Sequence, residues 1–139
     1  MSAPSVLLEI CAGSVTSCVA AQEGGAGRVE LCDNLLEGGT TPSHGAIASA
    51  REKLRIALNV IIRPRGGNFL YLAVEFGVME RAILACKKLG VDGVVIGLLT
   101  ADSDIDVKSL VELAAPMPVT FHRAFESMRS LKDALAMNE

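Results

Sequence analysis

Two short strings in this chain have the form Glu-X-Cys: Glu9-Ile10-Cys11 and Glu30-Leu31-Cys32. Each lies in a β-like stretch, where successive side chains point to opposite faces, so the Glu and Cys of a string share a face. Paired strands run about 4.8 Å apart, so two adjacent strings could offer two sulfurs to one ion. Thiolates are soft ligands and select copper(I), which makes Cys11 and Cys32 candidate metal ligands. The same residues would also serve as small buried hydrophobes, a role that free cysteine often fills. Cys18 and Cys86 fall at apolar positions of helical segments and are expected in the core. No Cys-X-X-Cys is present, so zinc-ribbon and thioredoxin-type motifs are not supported.

A second group of residues carries charge. Glu9, Glu30, Arg63 and His122 fall toward the ends of strand-like segments and are expected to converge at one mouth. His122 titrates nearest neutral pH, so it is the natural acid or base, with Glu9 and Glu30 as further candidates. The structural alternative is an internal network in which Arg63 pairs with Glu9 or Glu30, because buried charges must be paired. Arg63-Pro64-Arg65-Gly66-Gly67 is a compact cationic loop. Arginine forks match carboxylate and phosphate geometry, so Arg63 and Arg65 are candidate anion binders. Arg65 could instead pair with Glu37 or Asp33. The loop Gly38–Ser43 leads into a helix, with Thr41 as the expected N-cap and Pro42 in the first turn.

The elements that must position these groups alternate in period. Val6–Cys11, Arg28–Cys32, Ala57–Arg63, Gly93–Leu99 and Pro118–His122 read as strands. Between them, helices start after Ser14 and after the Gly-rich loop. A longer one carries Val78, Ala82, Ala85 and Leu89 up to Gly90, and a short one covers Asp106–Ala115. A last helix is expected to begin in Ser130–Glu139. This alternation argues for a parallel α/β sheet. Strands of a doubly wound sheet should be continuous apolar runs. Here Val29 and Leu31 oppose Glu30 and Cys32, Leu58, Val60 and Ile62 oppose Asn59 and Arg63, and Val119 and Phe121 oppose Thr120 and His122. One face is apolar and the other turns polar toward the C-terminal ends. A barrel explains that more simply, with helices on the apolar face and functional groups inside near the top.

Composition limits the partners. The chain has 139 residues, is half apolar and carries a net charge of −3. It lacks the clustered Lys and Arg that a phosphate backbone rewards, so nucleic acid is not expected. No apolar run approaches the roughly 18–20 residues of a membrane span. No basic leader precedes the first strand, so a cytoplasmic location is expected, where thiols stay reduced.

Several of these segments resemble the CutC family. They include Glu9-Ile10-Cys11, Arg28-Val29-Glu30-Leu31-Cys32, Glu37-Gly38-Gly39-Thr40-Thr41-Pro42-Ser43, Arg63-Pro64-Arg65-Gly66-Gly67 and Thr120-Phe121-His122-Arg123-Ala124-Phe125. They run through nearly the whole chain, so residues 1–139 are expected to form one partial CutC-like domain. The resemblance implies a (β/α)₈ TIM barrel, a homo-oligomer, and a role in copper homeostasis with copper(I) at the barrel mouth. A complete barrel needs about 200–250 residues, so this chain is expected to hold only the N-terminal part, about five βα units. It departs from the family pattern at Leu72-Ala73, where a small polar residue and an acid are typical, and at Glu126-Ser127, where an aspartate is usual. Two functional readings remain open at this stage. One is a copper-associated binding protein; the other is a barrel enzyme of unassigned chemistry that takes a small anionic metabolite.

Overall fold

Strand follows helix throughout: β1 (Glu9–Ala12), α1 (Val15–Glu23), β2 (Arg28–Leu31), α2 (His44–Lys53), β3 (Ala57–Ile61), α3 (Ala73–Leu89), β4 (Gly93–Ile96), α4 (Lys108–Ala114) and β5 (Val119–Phe121). Short 3₁₀ turns occupy Leu35–Glu37 and Arg123–Ser127. The structure, a computed structural model, describes residues 5–102 and 106–127. The helix expected over Ser130–Glu139 lies outside them.

All five strands form one parallel sheet in the order β1-β2-β3-β4-β5. A doubly wound sheet reverses its strand order at a switch point; this one does not. Each strand is added on the same side as the last, which is how a (β/α)₈ barrel winds. The fold is the first five strands of such a barrel, open between β1 and β5.

The period-two pattern sorts the faces as the sequence implies. Val29, Leu31, Leu58, Val60, Ile62, Val94 and Ile96 are at most 1% exposed and pack with Ile47, Met79, Ile83 and Leu110 from the helices. Each such side chain contributes about 1.5–3 kcal/mol on burial. Cys18 and Cys86 belong to this core as well, both fully buried. The opposite face carries Glu30, Cys32, Asn59, Ile61, Arg63 and Val95.

Local signals account for the helix ends. The Ser14 hydroxyl accepts from Ser17 N at 3.0 Å and starts α1. Gly90 closes α3 in the left-handed region at φ 76°, where glycine carries no Cβ penalty. The start of α2 corrects the sequence reading. Ser43 is the N-cap, accepting from Ala46 N at 3.1 Å, and the helix begins at His44. Thr41 is diverted, because its hydroxyl accepts from Arg63 N at 2.8 Å and donates to Arg63 O at 3.1 Å. The strands are shorter than their apolar runs. Val6, Leu7 and Leu8 precede β1 and are exposed, Val6 by 93%.

Candidate functional site

Register decides which inward side chains meet. Along β1 and β2, Glu9 lies beside Arg28 and Cys11 beside Glu30. Cys32 sits one inward position above Glu30, so the two cysteines are diagonal rather than level. Their sulfurs are nonetheless 3.6 Å apart. The Cys32 thiol also lies 3.4 Å from Glu30 Oε1 and donates to it. Single ligand atoms of Cys11, Glu30 and Cys32 all fall within 4.8 Å of one another. Cys11 is exposed, Glu30 half-buried and Cys32 3% exposed, so the cluster is open on one side. Glu9 does not join it. Glu9 forms an ion pair with Arg28 at the N-terminal end of the strands.

Burial shapes the acidity of this cluster. It pushes the Cys32 thiol far up, and the neighbouring Glu30 charge and Cys11 push the same way. Glu30 is raised as well, first by burial and then by repulsion from Glu9, while the Cys32 thiol and Arg28 oppose the shift. Cys86 is raised to about 11 by burial alone. Cys18 is raised by burial, with a smaller effect from Cys11.

Arg63 is 2% exposed and faces inward above the cluster, but it pairs with neither Glu9 nor Glu30. Its Nη1 donates to Glu37 O at 2.6 Å and Gly39 O at 2.9 Å, and its Nη2 to Gly67 O at 2.9 Å. The guanidinium lies 5.1 Å from the Phe69 ring centroid. Arg63 thus ties the loop after β2 to the loop after β3, and carbonyls take the place of the expected carboxylates. Burial raises the pKa of the Tyr71 hydroxyl, and the Arg63 charge opposes part of that shift. Arg65 is held by Glu75 rather than by Glu37 or Asp33. It also donates to the carbonyls of Gly66, Asn68 and Leu70. The Glu75 carboxylate also accepts from Leu72 N at 2.7 Å, at the start of α3. Glu37 approaches the backbone of Gly66 instead, so closely that a side chain there would collide with it.

His122 stands at the end of β5, its ring packed near Phe69 and Phe121. A Cβ on Gly97 would collide with the imidazole, so the glycine makes room for it. Nδ1 accepts from Ala124 N at 3.1 Å. Burial, followed by the charges of Arg63 and Arg123, lowers its pKa to about 4. At neutral pH the ring is therefore uncharged with its proton on Nε2, a hydrogen-bond donor rather than a strong base. Nε2 is buried and has no partner among the described residues.

A cavity of about 260 Å³ joins these groups, lined by Glu30, Ile61, Arg63, Phe69, His122 and Arg123 among others. Arg123 escaped the sequence reading. Its side chain covers Gly38 and has no hydrogen bond or ion pair among the described residues. The available signal was a cation directly after the polar end of the fifth strand.

Comparison with known proteins gives a consistent picture. The CutC family model matches residues 6–138. A CutC family protein of Chromobacterium violaceum is 64% identical over 132 residues, covering 93% of this chain and 53% of its own length. The human copper homeostasis protein cutC homolog is 47% identical over 137 residues, covering 96% of this chain and 50% of that protein. A crystal structure of a Streptococcus agalactiae protein bearing the CutC name superposes with a TM-score of 0.88 at 38% identity. It covers 96% of this chain and 67% of that one. The chain spans about half the length of the curated relatives it matches. Among the described residues no helix is long and apolar enough to cross a membrane.

Proposed function

The chain belongs to the CutC family, and from that premise we propose that it serves copper homeostasis by holding copper(I) on Cys11 and Cys32, with Glu30 as a third donor. One observation carries this reading: two sulfurs 3.6 Å apart, with a carboxylate oxygen 3.4 Å from one of them. A linear two-coordinate ion would need the sulfurs about 4.6 Å apart if the metal–sulfur bond is about 2.3 Å, as for zinc. The observed spacing suits a bent arrangement with Glu30 in the third position. Softness of the sulfurs favours copper(I), while two thiolates and one carboxylate fall short of a closed tetrahedral zinc site.

The register also weighs against a disulfide. Cys11 and Cys32 differ by one strand spacing and two residues of rise, which puts their Cα atoms roughly 8 Å apart. An unstrained disulfide needs less than about 7 Å. The pair is better spanned by an ion than by a bond, and it suits the reducing cytosol. Both sulfurs bind as thiolates, so loading releases protons.

The test is competition for copper(I) against a calibrated chelator without oxygen. The wild type is expected to take copper(I) stoichiometrically and in preference to zinc. The Cys11→Ser/Cys32→Ser chain is expected to lose that binding. Equal affinity in the two would remove the site and leave both cysteines as packing residues.

A further inference from the structure

The cavity above the thiol cluster shares only Glu30 with the copper reading, and Arg123 and His122 in its lining hold donors with no partner among the described residues. Arg123 presents a guanidinium at its rim with no partner among the described residues, and His122 Nε2 is a buried donor left without one. A buried donor without an acceptor costs about 1–3 kcal/mol, so such a group is expected to meet an acceptor in its working state. We propose that this cavity binds a small organic monocarboxylate, its oxygens held by the Arg123 fork and by His122 Nε2–H.

The surroundings select the ligand. A guanidinium matches a carboxylate with two parallel N–H···O bonds. Ile61, Val95 and Phe69 form apolar walls, which suit a short hydrocarbon body. A phosphate dianion is disfavoured, because the terminal donors of Arg63 are engaged, leaving only its Nε without a partner among the described residues, and Arg65 is also held. Arg63 gives its Nη donors to Glu37, Gly39 and Gly67 carbonyls, and Arg65 is taken by Glu75. Glu30 lines the same cavity and would repel a second negative charge. At about 260 Å³ the cavity lies just under the usual range for ligand pockets, about 300–1,000 Å³, so the ligand is small.

This inference does not rest on copper binding, and its test is run on metal-free protein with a chelator present. The probes are isobutyrate and inorganic phosphate, titrated by calorimetry. A second readout is the imidazole nitrogen resonances of ¹⁵N-histidine-labelled protein. Isobutyrate is expected to bind saturably, more tightly than phosphate, and to move the His122 Nε2 signal. Arg123→Gln, at an exposed position, should weaken it by about tenfold or more. Arg81→Gln, which removes an equal charge from α3 far along the chain, should not. Absence of saturable isobutyrate binding, equal loss in both variants, or tighter binding of phosphate would each overturn the proposal.

Discussion

The two faces of the sheet bury cysteines to similar depth and treat them differently. Toward the helices, Cys18 and Cys86 are fully buried among Ile, Leu, Met and Val side chains, and among the described residues their sulfurs meet no carboxylate. On the inner face, Cys32 is 3% exposed, yet its sulfur meets another sulfur and Glu30. Burial is common to both; the neighbours are not. A thiol in the core gains from packing alone. A thiol in a polar cluster keeps a proton that an ion can displace. The same contrast holds higher up, where the outer face is closed by Ile62 and Ile96 and the inner face by Arg63 and His122.

That contrast can be broken by substitution, and the largest effect should come from the inner face. Arg63→Met keeps the length of the side chain but strands the carbonyls of Glu37, Gly39 and Gly67. About 3 kcal/mol or more of stability should be lost in denaturant unfolding. A loss below about 1 kcal/mol would mean that the inner polar groups are incidental to folding.

Acid should act next, through His122. Its folded pKa of about 4 lies below the ordinary 6.5. Its contribution to stability is therefore complete above pH 6.5 and is lost as pH falls toward 4. The loss should be on the order of 2–3 kcal/mol. Glu30, with a raised pKa, changes stability in the opposite direction over acid pH. The relevant curve is thus the difference between wild type and His122→Gln, and a flat difference from pH 7 to 4 would refute the assignment.

The thiols themselves supply a smaller pair of effects. Cys86→Ser places a hydroxyl in the apolar core and should cost about 1–3 kcal/mol. Cys11→Ser is exposed and should change stability by less than about 0.5 kcal/mol. Similar thermal shifts for the two would erase the distinction between the faces. A modest effect is also expected of Glu30→Gln, on copper(I) affinity. As a hard third donor beside two thiolates, it should matter by about threefold to tenfold, near 1 kcal/mol. A loss as large as that of a cysteine variant would make the carboxylate a principal ligand.

Much of this was legible in the residues. Alternation at Val29-Glu30-Leu31-Cys32 and at Leu58-Asn59-Val60 separates the faces, and helical spacing places Cys18 and Cys86 in the core. The polar partners were not legible. Glu9 and Glu30 occupy equivalent places in their strings, yet only Glu30 reaches the cysteines, because β2 is paired so that Cys11 stands beside it. Arg63 was expected to bind an anion or to pair with Glu9 or Glu30, and its terminal nitrogens donate to carbonyls. Arg65 finds Glu75, ten residues on at the start of α3, rather than Glu37 or Asp33.

What the sequence determined by itself was the period of each segment, the face of each side chain and the stops at Ser14 and Gly90. These depend on backbone geometry within one or two turns, which nearest neighbours set. Only the tertiary structure decided the register between strands and the partners of the arginines. Register is set by ladders between residues some 20 to 30 apart in the chain, and slipping one strand by two residues keeps every face while changing every neighbour. The diagonal meeting of Cys11 and Cys32 and the placement of Arg123 over Gly38 are consequences of that long-range pairing.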